Sequence, residues 1–222
     1  MQEPIALPFE NRADAGWELA QKIRLSTDGL DLVLALPRGG VAIGAEIASA
    51  LAVPLDVFLV RKVGAPDQPE LALGALAESG HLELNQSVLD SLRVSDENLS
   101  SIVASERLEI ERRLERYRGG RPPPDVKARQ VLIVDDGVAT GATMLVALRA
   151  LRAQQPARLT LATPVCPPST LRRLQDEADQ VVALATPKPF GAVGAWYRDF
   201  HQMTDDEVIV LLRGERPTRP QL

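Results

Sequence analysis

Val131-Leu132-Ile133-Val134-Asp135-Asp136-Gly137-Val138-Ala139-Thr140-Gly141-Ala142-Thr143 decides how this chain is read. Four β-forming residues predict a buried strand, and two carboxylates stand at its C-terminal end. Met144, Leu145, Ala147, Leu148 and Leu151 then recur at helical spacing, so the small-residue run between is a strand-to-helix turn. The N–H groups at such a helix start lack intrahelical partners and carry the positive end of the helix dipole, which suits a phosphate. Gly137 and Gly141 allow the backbone to bend closely around an anion, and the Thr140 and Thr143 hydroxyls can donate to it. Asp135 and Asp136, as acceptors, suit a sugar diol. The turn therefore looks built for a phosphorylated ribose. Three other readings stay open: a metal-binding receiver domain, a Walker loop and a purely structural turn. The first lacks an Asp at the end of a later strand, and the second lacks a lysine before Thr143. Asp-Gly is ordinary turn chemistry, which keeps the third alive.

A second candidate anion loop, Leu36-Pro37-Arg38-Gly39-Gly40-Val41, follows an apolar run over 31–36 and opens a helix over 41–51. Ligands of open α/β sheets sit beyond the strand C-termini where strand order reverses, so two such loops at neighbouring strands could hold two phosphates of one molecule. Further strands are predicted over 53–60, 73–77, 159–163 and 181–185, alternating with helical runs. That pattern implies a parallel sheet covered on both faces. Residues 86–124 read as a helical insert with a narrow apolar stripe, capped at Ser95 and stopped at Gly119-Gly120 before Pro122-Pro123-Pro124.

The 222 residues (24.1 kDa) fit one domain. A net charge of −5 argues against nucleic acid as the main partner. A single cysteine, Cys166, fits a reducing compartment, and two histidines with it make a zinc site unexpected. No apolar run reaches the roughly 20 residues of a bilayer span, and no signal peptide is apparent, so a cytoplasmic setting is expected.

The acidic run resembles the phosphoribosyl-diphosphate (PRPP) motif of the type I phosphoribosyltransferases, in which two acidic residues precede a Thr-Gly-x-Thr loop. The likeness extends through Arg61-Lys62-Val63-Gly64-Ala65-Pro66 and Glu70-Leu71-Ala72-Leu73-Gly74-Ala75 to Trp196-Tyr197-Arg198-Asp199-Phe200, and is similar to members of undefined acceptor. The resemblance implies a central parallel sheet flanked by helices and a small hood made by residues 187–203 with the N-terminal segment. It implies Mg²⁺-dependent transfer of phosphoribose from PRPP to a nitrogenous acceptor, releasing pyrophosphate.

By the same resemblance, Asp135 and Asp136 take the ribose hydroxyls and neighbour the metal indirectly. With them, Gly137, Val138, Ala139, Thr140, Gly141, Ala142 and Thr143 line the 5-phosphate and ribose site, the phosphate falling to Ala139 to Thr143. Arg38, Gly39, Gly40, Arg61 and Lys62 take the pyrophosphate, often with a strained peptide bond at the first of these loops. Lys62, Arg38, Asp135 and Asp136 carry the catalysis. Residues 64–70 would form a mobile loop that excludes water, with Glu70 or Glu78 as candidate proton acceptors.

Phe190, Trp196 and Tyr197 could stack on the acceptor or form a satellite core beneath a C-terminal loop. Lys188 and Arg198 are candidate contacts to an anionic acceptor. The 6-oxopurine members carry an aspartate where this chain has Ala139, so that version of the chemistry is disfavoured. The rival readings are a non-catalytic PRPP sensor and an enzyme that cleaves a ribosyl bond. A homodimer is a further expectation.

Overall fold

The computed structural model describes residues 7–27, 29–66 and 68–215, with only the backbone of Pro69 and Glu70. In chain order the elements are α1 (Arg12–Ser26), β1 (Leu32–Ala35), α2 (Gly39–Leu51), β2 (Leu55–Val57), β3 (Val60–Ala65) and β4 (Gln68–Ala77). There follow β5 (Leu82–Leu84), α3 (Gln86–Leu92), α4 (Asp96–Arg118), β6 (Gln130–Val134), α5 (Ala142–Arg152) and β7 (Arg158–Val165). The chain continues with α6 (Pro168–Gln175), β8 (Gln180–Ala185), a 3-10 turn (Val193–Trp196) and α7 (Asp205–Leu212).

Five strands form a parallel sheet in the order β2-β1-β6-β7-β8. The apolar runs of β1 and β6 are buried on both faces, as a sheet sandwiched between helices requires. Alternate residues serve opposite cores. Val33, Ala35, Leu132 and Val134 pack with α1 and α2, through Leu19, Ile23, Ile43 and Ile47. Leu32, Leu34, Val131 and Ile133 pack with α5, through Met144, Ala147, Leu148 and Leu151. Leu32 pairs with Val131 and Ala35 with Val134, so β1 and β6 end level and their following loops emerge side by side. After β1 the chain passes to β2 on one side, while β6 lies on the other. This reversal of strand order is where such sheets place ligands.

A second, antiparallel sheet, β3-β4-β5, was not expected from the sequence. The strand predicted over 53–60 breaks after Val57. There the Phe58 amide donates to Ala35 O (2.9 Å) and the Leu59 amide to Glu78 Oε2 (2.8 Å), and the chain restarts as β3 in the other sheet. The expected loop over 64–70 is the tip of the β3-β4 hairpin, with Ala65 paired to Gln68. Asp67 and the Glu70 side chain lie outside the described residues.

The helical insert is two helices. Asn85 caps α3, and Arg93 ends it in the left-handed region (φ 49°). Ser95 caps α4 by accepting from the Asn98 amide, and Gly119 (φ 58°) terminates it as predicted. Buried Arg118 then fastens α4 to both sheets. It donates to Asp56 Oδ1 (3.1 Å), Val57 O (2.9 Å) and Glu78 Oε1 (2.8 Å).

The N-terminal segment meets the chain near Trp196. The Phe9 amide donates to Trp196 O (2.9 Å), Arg198 N to Phe9 O (2.8 Å) and Asp199 N to Glu10 O (2.9 Å). Among the described residues no helix is long and apolar enough to cross a membrane.

Candidate functional site

β6 delivers Asp135 and Asp136 to the sheet's C-terminal edge, and the chain then turns tightly into α5. The turn is pinned at several points. The Val138 amide donates to Val165 O (2.9 Å), Thr170 Oγ1 to Ala139 O (2.7 Å) and Arg173 Nη1 to Thr140 O (3.4 Å). Gly141 sits at φ 78°, and a Cβ there would lie 2.6 Å from Thr170 Cγ2, so both backbone and space demand glycine. The N-cap of α5, Gly141, has no side chain to cap it, and the Ala142 amide makes only a long bond to Thr140 Oγ1 (3.5 Å), while Thr140, Ala142 and Thr143 are exposed. That leaves a polarised, accessible helix start suited to an anion.

The second loop presses against the first. The Pro37–Arg38 peptide is cis, and α2 starts at Gly39, also with no side-chain cap. A Cβ on Gly39 would fall 1.8 Å from Asp136 Oδ2 and 3.1 Å from Arg12 Nε. One on Gly40 would lie 2.8 Å from Val134 O and 3.0 Å from Asp135 Cα. Two helix starts thus flank one acidic pair, and only glycine at 39 and 40 allows their contact.

Charge in this corner is concentrated. Burial first, and then the neighbouring Asp136, push the Asp135 carboxyl well above its ordinary range. Burial also raises Asp136, against the opposing hydrogen bond and charge of Arg12. Arg12 Nε donates to Asp136 Oδ2 at 2.7 Å, and its Nη1 to His201 O at 2.8 Å. Tyr197 donates its hydroxyl to the Asp136 carbonyl, and burial pushes its phenol pKa up.

Asp135 to Thr143 and Arg38 to Gly40 are therefore brought together. Arg61 is turned elsewhere: it is ion-paired with Glu106 and Glu109 on α4. Lys62, exposed and next along β3, lines the same groove as Arg61, Glu106 and Arg113. Glu78 is committed to Arg118 and the Leu59 amide.

The hood aromatics mostly build a small core. Tyr197 is 5% exposed, stacks on Phe200 (centroids 5.1 Å apart) and lies 5.6 Å from the Phe9 ring. Trp196 donates Nε1 to Phe190 O (3.0 Å) and its ring lies 6.1 Å from that of Phe190. The described residues hold no group of three or more His, Cys, Asp or Glu side chains arranged for a metal. Sequence reasoning missed Arg12 and Thr170. Nothing local marks Arg12, whose carboxylate partner lies 124 positions away.

Comparison with known proteins gives this geometry a family. The family model for the phosphoribosyl transferase domain matches residues 8–193. Two curated relatives from Mycobacterium tuberculosis strains, named "Putative phosphoribosyl transferase" MT0597 and Rv0571c, are each 43% identical over 204 residues. Those matches cover 92% of this chain but 46% of each relative, so the chain spans about half their length. The crystal structure of TT1426 from Thermus thermophilus is 45% identical, with a TM-score of 0.77, covering 92% of this chain and 97% of that one. Matched along most of its length, and carrying the two glycine loops and the acidic pair within the matched span, the chain belongs to the phosphoribosyl transferase domain family.

Proposed function

We propose that this protein transfers phosphoribose from PRPP to a nitrogenous acceptor, with release of pyrophosphate. The observation that carries the reading is the contact of the two glycine loops across the acidic pair, with Gly39 against Asp136 and Gly40 against Asp135. One molecule bearing a phosphate, a diol and a diphosphate spans those three features. The turn from Ala139 to Thr143, with the Thr140 and Thr143 hydroxyls, receives the 5-phosphate. Asp135 and Asp136 accept hydrogen bonds from the ribose hydroxyls. Arg38, the Gly39–Gly40 backbone and Lys62 stabilise the diphosphate as the C1–O bond breaks and its electron pair leaves with pyrophosphate. The acceptor nitrogen then bonds to C1, so catalysis is largely positioning and charge stabilisation.

The donor set fits Mg²⁺. Two adjacent carboxylates lie where burial disfavours their charge, and the Arg12 guanidinium bonds Asp136. Asp135 and Asp136 would hold the ion through water or substrate hydroxyls, and the ion supplies neutralisation of the phosphate charge. Ala139 offers no proton-accepting side chain, and its carbonyl is occupied by Thr170. The reading therefore favours acceptors that need no acid or base at that position.

The test is a calorimetric titration of PRPP with and without Mg²⁺, repeated on Asp135→Asn/Asp136→Asn. Saturable binding that requires the acidic pair supports the site, and pyrophosphate release on screening bases then supports transfer. Binding without release by any base would favour a PRPP sensor. Absence of binding at millimolar PRPP overturns the reading.

A further inference from the structure

Arg12 is the buried charge that neither glycine loop accounts for. It is 8% exposed, opens α1, and reaches two other parts of the chain. Nε meets Asp136 Oδ2, the same oxygen that abuts Gly39, and Nη1 meets the main-chain carbonyl of His201. Its Cζ lies 3.9 Å from the Phe200 ring centroid, so the guanidinium plane is also held by an aromatic face.

We propose that Arg12 is a positioning residue that holds the Asp136 carboxylate and the hood segment around Phe200 and His201 in one arrangement, coupling ribose binding to the hood. The inference rests on the phosphoribosyl transfer reading above. Three observations support it. First, the hood grips Asp136 at both ends: Arg12 takes the carboxylate, while Tyr197, stacked on Phe200, takes the backbone carbonyl. Second, the strand-like pairing of Phe9 with the Trp196–Arg198 segment anchors the start of α1 to the same hood. Third, the contacts use the planar fork of arginine, one edge for a carboxylate and another for a carbonyl, with the face left for the ring. Lysine has the charge but not this geometry. Any ligand that draws on Asp136 Oδ2 therefore shifts a group whose other contacts lie in the hood.

The experiment compares the full-length wild type with Arg12→Gln, Arg12→Lys, Asp136→Asn and the Arg12→Gln/Asp136→Asn double variant. PRPP binding with Mg²⁺ is read by calorimetry, and amide hydrogen exchange is followed at residues 9–12 and 197–201. The wild type is expected to gain protection at 197–201 when PRPP binds. Arg12→Gln should bind about tenfold more weakly, a loss of about 1.4 kcal/mol, and transmit no protection to the hood. Arg12→Lys should recover part of the affinity without recovering hood protection. The double variant should bind no more weakly than Asp136→Asn alone, because both changes break one coupled unit.

Wild-type affinity in Arg12→Gln, or losses that add in the double variant, would overturn the proposal. If Arg12→Gln fails to fold, Arg12→Lys decides: hood protection equal to wild type overturns the coupling. If the wild type binds no PRPP, the transfer reading fails, and ligand-free exchange judges Arg12 separately. Faster exchange at 197–201 in Arg12→Lys then supports its hold on the hood, and unchanged exchange overturns it.

Discussion

At Gly39 one hydrogen atom separates a working contact from a clash. A methyl group there would fall 1.8 Å from Asp136 Oδ2 and 3.1 Å from Arg12 Nε, and neither neighbour is free to yield because each holds the other. Gly39→Ala is expected to push α2 away from β6 and to weaken PRPP binding at least about a hundredfold, an effect of about 2.7 kcal/mol. Calorimetry reads it, and near-wild-type affinity would show that the two loops need not touch. Asp135 makes a prediction of opposite sign for stability. Its carboxyl pKa is raised by burial and by Asp136, so the folded protein keeps that proton to a higher pH than the unfolded chain does. Between the ordinary carboxylate value and the raised one, the native state binds more protons, and stability falls as pH rises through that window. Asparagine cannot ionise. Asp135→Asn should therefore be more stable than wild type near neutral pH, by about 1 kcal/mol, with the gain shrinking as the pH falls toward about 4. Urea denaturation at the two pH values checks this, while the same variant should lose PRPP affinity. A stabilised protein that binds poorly is the signature of a site whose charge is held at a cost to the fold.

Among elements, the parallel strands were the most legible. β1, β6 and β7 are short apolar runs buried on both faces, and that burial is written directly in their composition, while the half-buried edge strand β8 shows the same apolar run. The ends of α4 were equally plain, because a capping serine and a left-handed glycine are local devices. The break between β2 and β3 was not. It depends on amides of Phe58 and Leu59 reaching Ala35 and Glu78, the first 23 and the second 19 residues away. α1 went unread for a related reason. Its buried face is mostly small, Ala15, Gly16 and Ala20 beside Leu19 and Ile23, and gives a weak periodic signal. Arg118 joins elements the sequence could not pair: the end of α4, the end of β2 and the end of β4. Replacing it by methionine leaves Asp56 and Glu78 buried without their shared cation, and burial already raises the pKa of Glu78 despite that cation. Arg118→Met should cost about 3–5 kcal/mol in urea denaturation. A loss below about 1 kcal/mol would mean that solvent, rather than Arg118, compensates these carboxylates.

On the scale of the whole molecule, the sheet's strand order gathers what the chain keeps apart. Loops following β1 and β6 meet at the reversal point, and the hood arrives there from both ends of the described chain. The contiguous part of this assembly, Asp135 to Thr143, was legible because a strand, a turn and a helix start follow one another in sequence. Arg12 was not, since only the fold brings it to Asp136. The same layout predicts how a divalent cation acts. The molecule carries a net charge of −5, and the proposed substrate, PRPP, is a polyanion that would approach two buried carboxylates. Mg²⁺ keeps several waters and takes few protein ligands, so on the proposed reading water and substrate oxygens would supply much of its coordination. Millimolar Mg²⁺ alone should therefore leave the Tm of the ligand-free protein unchanged. PRPP with Mg²⁺, at about a hundred times its Kd, should stabilise the fold by about 2.7 kcal/mol. Chelating the metal while PRPP remains should remove most of that gain. If Mg²⁺ alone raised Tm as much as the pair does, the ion would have a protein-built site, and the acidic pair would be its ligand before it is the sugar's.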